Sequence, residues 1–316
     1  MGAITSQPNR SIGQLTEEEI IRRITTNLGN ACPAFPAGPG GDCAIFEEKV
    51  PRKYRVSTVD SVVLGRHFDL STEGVVAGAK LVNRNLSDLA AAGALPSDAL
   101  LSLHIGTDVD SEWLENFAYG VGKTALKHGL KCVGGDVCRV QSGTFAATLA
   151  VQGFAHRIMT RKSANNGDII FVTGQLGGSI TGHHLNFEPR LAEGQWLNAQ
   201  ASVTACTDIS DGLGKDINNL LHASQDAIVD LPSLPISEAA KNLAKHDGKS
   251  AIEHALQDGE DYELLFAVNP QLASALESNF KKQFPQTQLT AIGIVKQGTK
   301  LVKSLTDGSV ITSRGF

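Results

Sequence analysis

Aromatic side chains make up only 5% of the 316 residues, too few for a stacking platform on single-stranded nucleic acid. Basic clusters are also missing: the net charge is −5 and lysine and arginine are spread along the chain, without the electrostatic footprint of a nucleic-acid partner. No stretch approaches the roughly 18–20 apolar residues that a membrane span needs, and Met1 to Arg10 lacks an apolar run of signal-peptide length. The five cysteines (Cys32, Cys43, Cys132, Cys138, Cys206) are odd in number and form no CxxC pair, so reduced thiols in a cytoplasmic protein are expected. Several motifs fail on inspection. Gly122-Lys123-Thr124 has Phe117 where a phosphate-binding loop would have its first glycine, and its surroundings read as helix. Gly38-Pro39-Gly40-Gly41-Asp42-Cys43 lacks the third glycine of a dinucleotide fingerprint. His183 and His184 are neighbours that a helix splays apart, a poor zinc pair, and no GxSxG elbow is present.

What remains is an ordinary globular composition, 41% apolar and 19% charged, in a chain long enough for two domains with cores of their own. Thr16-Glu17-Glu18-Glu19 reads as a capping box ahead of the stripe Ile20, Ile21, Ile24 and Leu28. A Gly/Pro-rich loop from Pro33 to Gly41 ends at Asp42. The pattern then predicts a strand over Arg55 to Val59 that delivers Asp60 at its end, and a helix over Thr72 to Gly93. A strand over Asp98 to Ile105 and a helix over Ser111 to His128, stopped by Gly129, come next. Val133 leads into Gly134-Gly135-Asp136, and a long strand follows over Thr144 to Ala155. The polar, basic segment His156 to Asn166 marks the expected boundary between an N-terminal domain (1–156) and a C-terminal domain (157–316). Beyond it, strands at Asp168 to Val172 and near 226–231, 262–268 and 288–295 alternate with helices, which indicates α/β. Consecutive strands with two long helices make the first half α+β.

The residues that bear chemistry are carboxylates. Thr207-Asp208-Ile209-Ser210-Asp211-Gly212-Leu213 and Asp258-Gly259-Glu260-Asp261-Tyr262-Glu263-Leu264-Leu265-Phe266 set acids beside glycine, next to apolar runs. Upstream stand Asp42 and Asp136, each after two glycines, Asp60 at a strand end and Asp88 inside an apolar helix. Acids at the margin of a core need something positive to neutralise them. Magnesium carrying a nucleotide polyphosphate is the leading candidate, because a hard cation takes carboxylate, phosphate and water oxygens. The plain alternatives are a turn or cap role for each aspartate after glycine and, for Asp88, an ion pair with Lys80 or Arg84 on the same helix face.

Gly41-Asp42-Cys43-Ala44, the run Asp60 to Phe68, the run Asn85 to Ala94 and Gly134-Gly135-Asp136 precede Thr160 to Ala164, Asp168 to Gly174 and the two acidic signatures. In this order and spacing they resemble the thiamine-monophosphate kinase family, of the superfamily that includes aminoimidazole ribonucleotide synthetase, selenophosphate synthetase and a hydrogenase maturation factor. The resemblance runs from about Leu15 to the C-terminus. It implies phosphorylation of thiamine monophosphate to thiamine diphosphate, with ATP as co-substrate and several magnesium ions. It implies metal ligands at Asp42, Asp60, Asp88, Asp136, Asp208 and Asp211, with backbone or hydroxyl oxygens of Thr58 and Val59 beside them. Gly135, Asp136, Arg161 and Ser210 match nucleotide contacts, His67 a contact to the thiamine phosphate, Glu260 one to the thiamine moiety, and Ser313 a further substrate position. The implied fold is an α+β N-terminal domain that dimerises through its sheet and an α/β C-terminal domain, with the nucleotide between them. A cytoplasmic homodimer without nucleic-acid or membrane partners follows. The chemistry agrees: a phosphate monoester has its second pKa near 6, so the acceptor oxygen needs no dedicated base, and the task is to bring two anions together. His67 and Arg161 would then offset remaining phosphate charge, the plain alternative for His67 being a half-buried packing role.

The chain departs from the family pattern at four places. Gly41 stands where an aspartate is common, Val59 and Val137 where threonine is usual, and Ser313 where relatives carry an aromatic that would stack on the substrate. Two alternatives therefore stand beside the first reading: an ATP-using member of the superfamily with another small phosphate acceptor, and a non-catalytic protein that binds nucleotide or thiamine phosphate. Retention of all six metal-type aspartates argues against the second, since idle buried acids only cost stability. No cysteine stands in a glycine-rich N-terminal loop followed by lysine, and none lies near the C-terminus, which disfavours the selenophosphate and hydrogenase branches.

Overall fold

The computed structural model describes residues 36, 44–47, 54–106 and 108–312. The capping box at Thr16 to Glu19, Asp42 and Ser313 lie outside the described residues. The first sheet is built from β1 (Ala44–Glu47), β2 (Tyr54–Val63), β3 (Leu95–Gly106), β4 (Lys131–Val140) and β5 (Phe145–Ala155), in the order β1-β2-β5-β3-β4. Its pairs are antiparallel except β3–β4, which is parallel. Along β5 every second residue is buried, so one face of the sheet is covered and the other open.

The cover is α1 (Gly74–Ala92), with α2 (Ser111–Lys127) packed against it. α1 is rich in alanine and leucine and is buried nearly all round, the mark of a helix inside a core. It ends at Gly93, whose φ of 67° provides the left-handed stop that glycine tolerates best. Glycines bring α2 within backbone contact: a Cβ on Gly78 would stand 2.2 Å from the Phe117 carbonyl oxygen, and one on Gly120 2.2 Å from that of Val75. Gly78→Ala is therefore expected to cost about 1–3 kcal/mol by overpacking, read as a lower denaturation midpoint at an unchanged m value.

Two expectations about this half are corrected. Asp60 lies inside β2 instead of at its end, because β2 pairs with β5 over its whole length. The turn role given as the plain alternative for an aspartate after glycine does not hold at Gly134-Gly135-Asp136, which is the middle of β4. Gly135 opposes Leu101 of β3, and a Cβ there would meet the Leu101 carbonyl oxygen at 1.7 Å. Close strand approach, not a turn, requires the glycine.

The second sheet comprises β6 (Ile169–Thr173), β7 (Val203–Asp208), β8 (Gln225–Val229), β9 (Leu264–Val268), β10 (Leu289–Gln297) and β11 (Val302–Ser304), in the order β11-β8-β10-β6-β9-β7. Between the strands lie α3 (His183–Asn186), α4 (Leu191–Asn198), α5 (Leu213–Asp216), α6 (Glu238–Leu243), α7 (Ala251–Gln257) and α8 (Ala273–Gln283). The alternation of helix and strand is as read from the sequence. β6, β7, β8 and β11 run one way, while β9 and β10 return between them, so β8–β11 is the one adjacent parallel pair of this sheet among the described residues. The run Leu264-Leu265-Phe266-Ala267-Val268 is buried throughout because both faces of β9 are covered. Leu264, Phe266 and Val268 join a core shared with Leu86 and Leu89 of α1, whereas Leu265 and Ala267 pack with Leu213, Ile217 and Leu256. Helix α1 is thus held between the two sheets, with apolar and polar residues meeting both halves of the chain.

Candidate active site

Thr58 and Asp60 lie on the covered side of β2, in phase with buried Val56 and Val62, where they meet the Lys80, Arg84 and Asp88 face of α1. The Arg84 guanidinium grips the Asp60 carboxylate twice, Nε to Oδ2 at 2.8 Å and Nη2 to Oδ1 at 3.0 Å. Its Nη1 is buried without a hydrogen-bond partner among the described residues. The Thr58 hydroxyl donates to Oδ2 of Asp88 at 2.5 Å. Asp208, at the end of β7, accepts from the Ser87 hydroxyl at 2.6 Å, while its Oδ1 is buried and has no partner among the described residues. Burial, and then the charges of Asp208 and Asp60, push the Asp88 carboxyl well above the usual carboxylate range. Burial also raises Asp208, against the Ser87 hydrogen bond and the Arg161 charge. The two basic residues weighed as partners of Asp88 make ion pairs with other acids, Lys80 with Glu260 and Arg84 with Asp60, while the Arg84 charge also reaches Asp88.

The first acidic signature folds into a tight turn after β7. Backbone N–H groups of Ser210 and Asp211 both donate to Oδ2 of Asp216, at 3.0 and 2.8 Å. Burial, reinforced by Asp211, raises Asp216 to about 7. Asp211 itself pairs with Lys215 at 2.7 Å. Nε of Arg161 donates to the Thr207 hydroxyl at 3.2 Å, and its charge reaches both Asp208 and Asp216. The nucleotide candidates Arg161 and Ser210 therefore stand beside the carboxylates.

Asp136 does not. Asp60, Leu149, Leu101 and Gly135 form one row across β2, β5, β3 and β4, and three strand spacings amount to roughly 14 Å. Asp136 belongs to the next row, with Ser102, Thr148 and Ser61, whose side chains point to the face away from α1. Val59, on that open face too, is 62% exposed. The expectation that all the aspartates converge is thus corrected within one chain: Asp60, Asp88 and Asp208 gather, Asp211 lies in the turn after Asp208, and Asp136 with Gly135 stands apart. Among the described residues no group of three or more histidine, cysteine or acidic side chains has metal-ligand geometry. Asp60, turned to Arg84, does not complete such a group.

Behind this cluster, along α1, lie the candidates for the acceptor. Nδ1 of His67 accepts the Val63 N–H at 3.0 Å, which leaves the ring proton on Nε2. Burial first, then the Arg84 charge, lowers His67 to about 4. It is a neutral N–H donor at pH 7, not the cation expected from the sequence. Glu260 meets Lys80 Nζ at 2.9 Å and His184 Nδ1 at 3.4 Å. Burial opposes its ionisation, but the adjacent His184 ring and the Lys80 charge prevail and hold it at about 2. Beside it, Asp261 accepts the Gly177 N–H at 2.8 Å, and burial pushes its carboxyl well up. Glu263 is gripped by Arg190, Nε to Oε2 at 2.7 Å and Nη2 to Oε1 at 2.6 Å. Sequence reasoning did not assign site roles to Arg84, Lys80, His184 and Asp216. The fourfold spacing of Lys80, Arg84 and Asp88 was the available signal for the first two; nothing local marks His184.

The chain is similar to known proteins along most of its length. Residues 40–155 match the family described as AIR synthase related protein, N-terminal domain. A thiamine-monophosphate kinase of Rhodopirellula baltica is 35% identical over 254 residues, covering 78% of this chain and 80% of that protein. The Haemophilus influenzae thiamine-monophosphate kinase is 33% identical over 306 residues, covering 88% and 90%. A solved structure described as AaThiL complexed with AMPPCP and TMP superposes with a TM-score of 0.81 at 27% identity, covering 99% of each chain. With a third of the sequence shared along most of its length and the same fold throughout, this chain belongs to the thiamine-monophosphate kinase family.

Proposed function

We infer that this chain transfers the γ-phosphoryl group of ATP to thiamine monophosphate, forming thiamine diphosphate. The observation that carries the reading is the pair of carboxylates, half-buried Asp88 and buried Asp208, brought together from two halves of the chain with Asp60 beside them. Carboxylates that burial holds against ionisation, one with an Oδ1 that has no partner among the described residues, fit a hard divalent cation. Asp60, Asp88, Asp208 and Asp211 would hold magnesium, with the Thr58 hydroxyl and the Val59 carbonyl adjacent. Bound magnesium would neutralise polyphosphate charge and align donor with acceptor.

The remaining work falls to the chain itself. Arg161, tied to Thr207, places a fixed cation beside the Asp208 turn to receive phosphate oxygens, and Ser210 follows on the same turn. His67 offers a neutral Nε2–H to the acceptor phosphate, a donor that adds no charge. Glu260, kept ionised, faces the cationic thiamine end. A dianionic acceptor attacks without losing a proton, so a site without a general base suffices.

The two halves, 1–156 and 157–316, are read as an N-terminal nucleotide, metal and dimerisation unit and a C-terminal unit, supported by the change of sheet between Ala155 and Ile169. A homodimer is supported by the open sheet face, where Val59 and Leu100 lie in one row and are 62% and 51% exposed. A cytoplasmic setting accords with free Cys132, Cys138 and Cys206; no helix among the described residues is long and apolar enough to cross a membrane.

The test is an assay with ATP, magnesium and purified chain, offering thiamine monophosphate against a panel of other phosphate monoesters. Thiamine diphosphate is the expected product. ADP release with a different monoester alone would reassign the acceptor, and magnesium-dependent nucleotide binding without turnover would reduce the chain to a binding protein.

A further inference from the structure

Lys80 takes no part in the chemistry derived above, yet it is fully buried at 0% exposure on the α1 face that points into the site. Its Nζ donates to the His67 carbonyl at 2.7 Å, lies 2.8 Å from Nδ1 of His184 and meets Oε1 of Glu260 at 2.9 Å. An ammonium has three N–H donors, and each here has an acceptor. No donor is left over for a ligand, so Lys80 acts through the groups it holds.

Those groups come from three separate segments: the turn after β2, helix α3 and the loop before β9. Two of the three acceptors, a backbone carbonyl and a ring nitrogen, fix where the ammonium sits. The third, Glu260, is the one that carries an opposite charge. Glu260 and Tyr262 both adopt positive φ, 53° and 50°, a backbone that ordinary residues leave unless surrounding contacts hold them. The contacts that hold them include the backbone N–H groups of Glu260 and Tyr262, which donate to the Ser210 and Ile209 carbonyls at 2.8 Å each, the Lys80 ion pair, the Tyr262 hydroxyl donating to Oε1 of Glu260 at 3.0 Å and the stacking of Tyr262 on Phe187 at 4.0 Å. The carbonyl of Phe187 accepts in turn from Asn83 at 2.8 Å, one helical turn along from Lys80. Helix α1 therefore grips both ends of the Glu260–Tyr262 segment.

We propose that Lys80 is a positioning residue, whose ammonium sets the Glu260 carboxylate in the orientation that receives the cationic end of the acceptor. The proposal rests on the reading of Glu260 as an acceptor contact under the function inferred above. It differs from a merely structural role in acting on one substrate only, and only through Glu260.

Steady-state kinetics of the full-length chain separate these possibilities. Lys80→Met and Glu260→Gln are each expected to raise KM for thiamine monophosphate tenfold or more, with KM for ATP changed less than twofold. The double variant K80M/E260Q is expected to match E260Q within twofold. It also removes both members of the buried ion pair, so it supplies the comparison even if K80M alone fails to fold. A folded K80M with unchanged KM for thiamine monophosphate overturns the proposal, as does a double variant whose KM rises well beyond that of E260Q. If the unmodified chain forms no thiamine diphosphate, the inferred function falls and this proposal with it. If it does form the product and K80M keeps its KM, the proposal alone falls.

Discussion

Asp88→Asn is expected to reduce kcat for thiamine diphosphate formation by at least about 10³-fold, because removal of a single preorganised electrostatic contact at a reacting centre already costs about 10²–10³. The fold is expected to survive. Burial and the neighbouring Asp208 and Asp60 push the Asp88 carboxyl up, so the folded chain keeps a proton that the unfolded chain releases near pH 4. Stability from this group is accordingly lost, not gained, as pH rises from about 4 through the elevated folded value. Asparagine keeps the shape without that penalty. Thermal melting of Asp88→Asn at pH 8 should equal or exceed that of the unmodified chain, in the absence of metal and nucleotide. A melting point several degrees lower, together with lost activity, would make Asp88 a structural residue instead.

The largest effect on stability is expected at Arg190. Its guanidinium is bidentate to Glu263, which is 2% exposed and also accepts from the Thr173 hydroxyl at 2.6 Å. Arg190→Ala strands a buried charge, at about 3–5 kcal/mol, or a melting point on the order of 10 °C lower. The pair itself is a different matter. Removing both charges with Arg190→Met and Glu263→Gln should recover much of the loss, since the desolvation of each ion offsets most of their attraction. Calorimetric melting of the two variants decides this: equal destabilisation of single and double would mean the ion pair is a net stabiliser.

Much of this was legible in the sequence, and the failures have identifiable causes. The carboxylates Asp88 and Asp208 announce themselves as acids inside apolar runs, and Thr58 as their neighbour comes with the period-two pattern of β2. The all-apolar run at β9 shows burial on both sides, but not that its faces serve two different cores. Gly134 and Gly135 mislead because glycine signals both turns and close backbone approach; only the partner strand decides, and β3 is some thirty residues away. Arg84 illustrates the remaining limit. Its place one turn before Asp88 is visible, but its choice of Asp60 over Asp88 depends on how β2 lies under α1. The protonation of His67 is likewise set by burial and by Arg84, neither of which its local sequence reveals.

Asp88 and Asp208 are proposed to hold a divalent cation on the nucleotide together. Binding of Mn2+ followed by electron paramagnetic resonance, with a non-hydrolysable ATP analogue present, tests it most directly. The unmodified chain is expected to bind the ion, and the D88N/D208N chain to bind it at least tenfold more weakly while remaining folded by circular dichroism. Equal Mn2+ affinity in the two chains would contradict the claim.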